Sequence, residues 1–491
     1  MENDSPQSLV EEFKKQKYQF DSETGLCNLP EDTKSDYDNA LKILSEQLYS
    51  KDIHFIFELI QNAEDNHYAD SLTPELSFEL LADDPTNTPG CKGCLVIRNN
   101  EVGFNIKNIK AISSIGKSTK ANQKDAGYIG EKGIGFKSVF VVSPSPHILS
   151  NGFKIKFLKD DPVTGLGYIV PYWLAENFSS FDDPKGTVLL LPLLDRKGNE
   201  TGMYQKIHTE LTKFYSEIVL FLKKLKKLSI KTPDFYATYE AKKRGEHVEL
   251  SVNSTEGSTV VEYMMRSQKV VVPESAKNDL RENVTQREVS LAFPMGFELK
   301  ESPLFCYLPT ESDTGLSFLV NADFILSASR ESIRQDLTWN DWLRDEVASF
   351  AAKSLANILS EKGIVERWKW VPTFNSNRVI YWDCVRDKVN IALQNTKCIP
   401  TLSGDYQLPA NCLKLGGNYK FLTEWPLAIL ERLEQDLFWN DSPWLNNVVN
   451  GIGIKNFSEN QLVGLLRRVE NNDELTNEQL IAALIELTTL K

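Results

Sequence analysis

The sequence predicts an α/β protein of several domains, and three observations carry that expectation. Between residues 35 and 68 apolar residues recur at helical spacing. Strand patterns follow at 75–82 ("ELSFELLA") and 94–100 ("CLVIRNN"), separated by the Pro/Gly-rich "DDPTNTPG". From about residue 235 to 325 the chain alternates in the manner of strands. At 491 residues the chain exceeds one core, and a prior of ~150 residues per domain suggests about three.

The elements are expected in this order. Residues 1–34 form a polar N-terminal extension with a helical stretch around 8–17. Two helices occupy 35–68 with "YSKD" between them, and the two strands come next. "NIKNIKAISSI" reads as a short helix, and "GFKSVFVVS" opens as another. "GFKIKFL" and "GTVLLLPL" are strands, and 203–228 is a helix. Past about residue 231 the character changes to strands with charged turns such as 242–246. An amphipathic helix covers 339–360, and the remainder mixes short strands with helices rich in Leu and Trp. The expected units are therefore 1–34, 35–230, a middle α/β unit at 231–362 and a mixed, helix-rich C-terminal region at 363–491.

A hydrophobic content of 41% with 25% charged residues describes a globular chain. The net charge of −13 argues against general binding to nucleic acid or anionic membrane. The local exception, "KKLKKLSIK" at 223–231, reads as a solvated helix face ending in a strand. No run approaches the ~20 apolar residues of a membrane span, and nothing at the N-terminus signals secretion. Seven scattered cysteines fit reduced thiols in the cytosol or nucleus. Cys91 and Cys94 form a single CxxC, read as a turn entering a strand rather than as a metal site. Five histidines give no HExxH and no nucleophile–base pairing.

"IGKSTKANQKDAGYIGEKGIGFKSVF" at 115–140 concentrates glycine and lysine, as a phosphate cradle would. It is not a P-loop, because Ala111 stands where that motif needs glycine and a helix, not a strand, precedes it. It is not a dinucleotide fingerprint either, since Gly130, Gly133 and Gly135 are spaced GxxGxG. Upstream, "HFIFELIQNAEDNHY" at 54–68 places Glu58, Asn62 and Asp65 on one helix face, beside an apolar stripe of Phe55, Ile56, Leu59, Ile60 and Ala63. Such a face is either merely wet or ligand-facing, and its coincidence with the glycine loop favours the second.

In order and spacing, "ELIQNAED", "VIRNNEVGF", "IGKST", "IGEKGIGFKSVF" and "KGTVLLLPL" resemble the motifs of the gyrase, heat-shock chaperone, histidine kinase and MutL (GHKL) ATPase superfamily, and within it the NO VEIN/sacsin-like branch. The resemblance covers roughly residues 35 to 340. It implies a two-layer, Bergerat-type ATP-binding sandwich with ATP and Mg²⁺ as cofactors. On that pattern Asn62 ligates Mg²⁺, Glu58 activates the attacking water, and Asp65 lies near the sugar or water network. The resemblance also implies that Gly130, Gly133 and Gly135 bring backbone N–H groups to the phosphates, that Lys117 contacts phosphate with Lys132 assisting, that Thr187 joins the adenine network, and that Gly103, Ser118, Ile134 and Phe136 are cofactor-binding. Two departures stand out: the adenine-reading aspartate of DxGxG is Asn99, and its first glycine is Glu101. Asparagine reads either edge of a base by flipping its amide, so looser adenine selectivity is expected. Glu101 beside a phosphate-bearing ligand is repulsive unless it points outward.

"FLVNADFILSASRESIRQD" at 318–336 resembles the start of a chaperone-type middle domain, where Arg330 would reach the γ-phosphate. Its competing assignment is an ion pair with Glu331 or Asp336. The resemblance implies a slow Mg²⁺-dependent ATPase with a chaperone-like or scaffold task, or alternatively a module that holds ATP without turnover. A homodimer through the ATP-binding domain and a protein client are family expectations. A protein kinase fits poorly, because no phospho-acceptor histidine region is evident. Relatives in the branch are longer, so the chain reads as a fragment or a short member.

Overall fold

Ser5 accepts the backbone N–H of Ser8 and Pro6 fills the first turn, which starts helix α1 (Pro6–Tyr18). A short hairpin follows, β1 (Phe20–Asp21) with β2 (Leu26–Cys27). Helix α2 (Glu31–Leu48) leads to α3 (His54–Glu64), whose Phe55, Ile56, Leu59, Ile60 and Ala63 are buried as their spacing requires. The computed structural model describes residues 5–21, 24–48, 54–114, 135–175, 178, 181, 186–195, 202–281, 284–327, 332–363, 365–373, 378–440, 443–469 and 475–489.

Strands β3 (Glu75–Leu81) and β4 (Cys94–Asn99) pair antiparallel; β3 alternates in burial, whereas the apolar run of β4 is buried on both faces. Helix α4 (Ile106–Ile112) starts on a reciprocal cap between Asn105 and Asn108. Then come β5 (His147–Ser150), β6 (Phe153–Lys156), β7 (Tyr172–Trp173) and β8 (Thr187–Pro192). Short helices α5 (Met203–Thr212) and α6 (Ile218–Phe221) precede β9 (Lys227–Lys231), β10 (Tyr236–Arg244), β11 (His247–Ser254), β12 (Gly257–Val271), β13 (Gln286–Met295), β14 (Pro303–Cys306), β15 (Leu308–Asp313) and β16 (Leu319–Asn321).

β3 to β16 form one mixed sheet of 14 strands, ordered β15-β14-β16-β13-β12-β11-β10-β9-β3-β4-β8-β5-β6-β7. The parallel pair β3–β9 joins its two halves. In the first half one face carries Leu95, Ile97, Leu189 and Leu191 toward α1, α3 and α4. The other face carries Cys94, Val96, Val188 and Leu190 under Leu174 and Phe178. In the second half, helix α7 (Thr338–Ser360) lies on β12 and β13. Its core continues past residue 362 to Trp368, Trp370 and Trp382, and into helix α8 (Asp383–Gln394). Among the described residues no helix is long and apolar enough to cross a membrane.

Three expectations change. "GFKSVFV" is a 3-10 turn (Gly135–Val141) rather than an α-helix. The helix expected over 203–228 stops at Thr212 and is replaced past Phe221 by an irregular segment entering β9. A carboxylate takes the N–H groups of Lys223, Lys224 and Leu225, so they cannot serve a helical ladder. The basic stretch 223–231 is an ion-paired loop and strand, with Lys223 on Glu288, Lys227 on Glu75 and Lys231 on Glu79. Helix α7 is amphipathic as its spacing predicts: Leu343, Val347, Ala348, Phe350, Ala351, Ala352, Leu355 and Ile358 are buried, and Asp345, Ser349, Lys353 and Asn357 form one exposed polar line.

Candidate functional site

α3 brings Glu58 and Asn62 to the start of the 3-10 turn. A Cβ placed on Gly135 would stand 2.6 Å from Glu58 Oε2 and 3.8 Å from Asn62 Nδ2. The missing side chain of Gly135 therefore leaves room for the Glu58 carboxylate, with the Asn62 amide nearby. Glu58 and Asn62 are half-buried. Asp65 follows the helix end and is buried, with 2% of its surface exposed. Phe136 turns its ring into edge-on packing with Phe140 and Phe157.

The register aligns Leu76, Asn99, Thr187 and Ser150 across β3, β4, β8 and β5, on the sheet face that looks toward α3. Asn99 is 7% exposed, and its amide is fixed rather than free to flip. Nδ2 donates to the Glu75 carbonyl at 2.9 Å and to Tyr68 Oη at 2.8 Å, while Oδ1 accepts from Asn66 Nδ2 at 3.1 Å. A carbonyl accepts only, and the Tyr68 hydroxyl already donates to the Ala63 carbonyl, so the opposite orientation would face two mismatched partners. The flipping amide expected at Asn99 is thus corrected.

Glu101 does not point outward; it is 4% exposed. Its Oε1 accepts from Thr187 Oγ1 at 2.5 Å. Thr187 shares a 2.5 Å hydrogen bond with Ser150 Oγ, which accepts the Phe104 N–H at 2.8 Å. The hydroxyls therefore run in one direction, Ser150 donating to Thr187 and Thr187 to Glu101. Gly103, at φ +84°, stands where a Cβ would meet Asn151 Cβ at 2.8 Å, so it shapes the turn beside this row.

Residues 36–166 match the Sacsin domain. That segment carries α3, Asn99, Glu101, Gly103 and Gly135, and it ends before Thr187. The chain is also similar to the Protein NO VEIN of Arabidopsis thaliana, 28% identical over 475 residues that cover 88% of this chain. It spans 16% of that relative's length. Both matches support the NO VEIN/sacsin-like branch. A solved structure titled as the N-terminal domain of a DNA repair protein aligns over 63% of this chain and 97% of its own, at 11% identity with a TM-score of 0.31. That likeness carries no argument.

Lys117, Ser118, Gly130, Lys132, Gly133, Ile134 and Arg330 lie outside the described residues. The base that carries Arg330 is described: Leu326 bridges Ile333, and Asn340 of α7 holds Ile325 and Arg334 by their backbones. Asp336, one of the partners considered for Arg330, pairs with Arg334 at 2.7 Å. Among the described residues no group of three His, Cys, Asp or Glu could hold a metal ion. Burial pushes the Cys91 thiol up to about 12, with Asp84 adding to it, so this thiol stays protonated.

Three residues near the site were missed by sequence reasoning. Lys137 is buried and donates to the carbonyls of Ile112 and Tyr168. Rings of Phe157, Phe136 and Phe140 lie 5.2–6.0 Å from its ammonium. Burial pulls it down to about 7, with Lys17 adding to the effect. Glu64 and Lys224 grip each other's backbone at the far end of α3. No local pattern could have flagged them, because their hydrogen-bond partners are distant in sequence.

Proposed function

We propose that this chain binds Mg-ATP in a two-layer, Bergerat-type sandwich of the GHKL kind and hydrolyses it slowly. The nucleotide state would set the arrangement of its parts for a chaperone-like or scaffold task. One contact supports the reading most: Gly135, the last glycine of GxxGxG, meets Glu58 and Asn62. Asn62 offers an amide oxygen, the donor type a hard cation takes. Glu58 is a carboxylate one helical turn away, suited to orienting water and accepting its proton. Bound Mg²⁺ would neutralise phosphate charge.

Lys117, Ser118, Lys132 and the backbone of 130–135 would hold the phosphates, and Arg330 would meet the charge that grows on the transferred group. Asn99 contributes an oxygen only, because both of its N–H groups are engaged. An acceptor there suits the exocyclic amine of adenine and opposes the carbonyl of guanine. A homodimer through the ATP-binding part and a protein client belong to the same proposal.

The test is phosphate release from Mg-ATP by the purified chain beside Glu58→Ala. Release that vanishes in the variant while ATP still binds supports hydrolysis through Glu58. Binding without release from either protein would replace the enzyme by a module that holds ATP, and absence of binding would remove the whole reading.

A further inference from the structure

We propose that Glu64 is a positioning residue that fixes α3 to the junction between the two halves of the sheet, so that occupancy of the site at Glu58 and Asn62 is felt in β13. The proposal rests on the nucleotide reading for its ligand and on the following geometry for its mechanism.

A helix end leaves its last carbonyls without helical partners. At the end of α3 the Ala63 carbonyl takes the Tyr68 hydroxyl at 2.7 Å, and Lys224 Nζ takes the carbonyls of Asn66 at 2.9 Å and Asp65 at 3.4 Å. The Glu64 carboxylate returns the grip. Oε1 accepts the backbone N–H of Lys223 at 2.6 Å and of Lys224 at 2.8 Å, and Oε2 accepts that of Leu225 at 2.9 Å. Three consecutive N–H groups converging on one buried carboxylate form an anion nest filled by the protein's own side chain. With Glu64 only 4% exposed, water is a poor substitute for any of the three.

Segment 223–225 is also where the chain passes between the halves. It runs into β9, which pairs parallel with β3 below α3 and antiparallel with β10 beyond it. Lys223 Nζ reaches Glu288 Oε2 on β13 at 3.3 Å. That pair is half-exposed and weak by itself, so the backbone grip of Glu64 is the rigid part of the connection. Next to Glu288, Arg287 joins Asp323 at 2.5 Å, and Asp323 takes Arg281 through both oxygens at 3.0 Å. Any shift of α3 along its axis thus moves 223–225 and pulls on β13. The same shift changes how Glu58 and Asn62 meet Gly135.

The test is hydrogen exchange on Glu64→Gln, with Lys224→Met as the variant that removes the returning grip and keeps the three backbone N–H groups on Glu64. Glutamine keeps the size but has one acceptor oxygen, so at least one of the three N–H groups loses its partner. Without nucleotide, peptides over 54–64 and 223–225 should exchange about tenfold faster together. Faster exchange at 223–225 with α3 unchanged would overturn the positioning role.

With Mg-ATP, the wild type should gain protection in α3 and in β13, and Glu64→Gln should keep the first and lose the second. Equal β13 protection in both proteins would make Glu64 a plain helix-end contact and overturn the coupling. A wild type that binds no Mg-ATP would sink the nucleotide reading and the coupling with it. The exchange without nucleotide would then decide the grip of Glu64 on α3 by itself.

Discussion

Gly135→Ala separates chemistry from stability at the candidate site. The new Cβ would lie 2.6 Å from Glu58 Oε2, and ordinary contact begins near 3.4 Å, so one of the two must yield by about 0.8 Å. Backbone does not have to move, because the obstructing atom is the end of a flexible side chain. Pushing Glu58 off its rotamer costs about 0.5–1.5 kcal/mol. Removing glycine's freedom from the unfolded chain returns about 0.4–1 kcal/mol. The two nearly cancel, and the melting temperature should change by no more than about 2 °C. A catalytic carboxylate displaced by nearly 1 Å loses on the order of 10²-fold in rate. Melting curves and phosphate release on one preparation read both quantities. Wild-type turnover in a variant of unchanged stability would refute the placement of Glu58 against the reacting water. A large loss of stability would refute the claim that the carboxylate, not the backbone, yields.

Three further outcomes follow from the hydrogen bonds. Lys137 stands near 7 in the folded chain against 10.5 unfolded, so the unfolded state binds more protons between those values and stability rises with pH by about 1.4 kcal/mol per unit; it is lost again as pH falls toward 7. The melting temperature of wild type relative to Lys137→Met should accordingly climb from pH 7 to 9, and parallel curves would put Lys137 outside this balance. Asn340→Ala orphans the buried Ile325 N–H and takes one donor each from the carbonyls of Ile325 and Arg334, the former keeping the Arg334 N–H at 3.1 Å, which should cost about 1–3 kcal/mol by urea unfolding; a loss under about 0.5 kcal/mol would mean that water replaces the amide. Asn99→Asp turns a donor facing the Glu75 carbonyl into an acceptor and should cost about 2–3 kcal/mol in the same assay, against no change if the amide is free to flip.

What the sequence revealed was whatever depends on near neighbours. The apolar spacing in "HFIFELIQNAED" gave α3 and its buried side, alternation gave β3, and a short apolar run after a Pro/Gly-rich turn gave β4, since side-chain period and turn chemistry are local properties. The polar face of α3 was legible for Glu58 and Asn62, which meet Gly135. Glu64, the neighbouring carboxylate, was not, because its partners lie 159 to 161 residues further on. The same distant grip explains why no helix runs on past Phe221. α7 was legible for the same reason as α3: its apolar residues are buried, and Asp345, Ser349, Lys353 and Asn357 fall on one exposed line. Lys137 looked like one more cation of a basic loop, and only the carbonyls of Ile112 and Tyr168 show that it faces inward.

Under the proposed GHKL reading, the departures at Asn99 and Glu101 would act as a single change. An aspartate in place of Asn99 would oppose the Glu75 carbonyl, whereas the asparagine donates to it. Thr187, directly across the strands from Asn99, then sends its hydroxyl to Glu101 instead. The row keeps one buried carboxylate but holds it two residues later. A double-mutant cycle tests this exchange. Residues directly opposite in antiparallel strands have Cβ atoms about 5 Å apart, so the carboxylate introduced by Asn99→Asp could accept from Thr187 once Glu101 is gone. Glu101→Gly alone leaves the Thr187 hydroxyl without its acceptor, at about 1–3 kcal/mol. The pair Asn99→Asp with Glu101→Gly should therefore be about 1 kcal/mol less damaging than the two single costs combined. Strict additivity would mean that Thr187 does not distinguish the two carboxylate positions, and the departures would then be two unrelated substitutions.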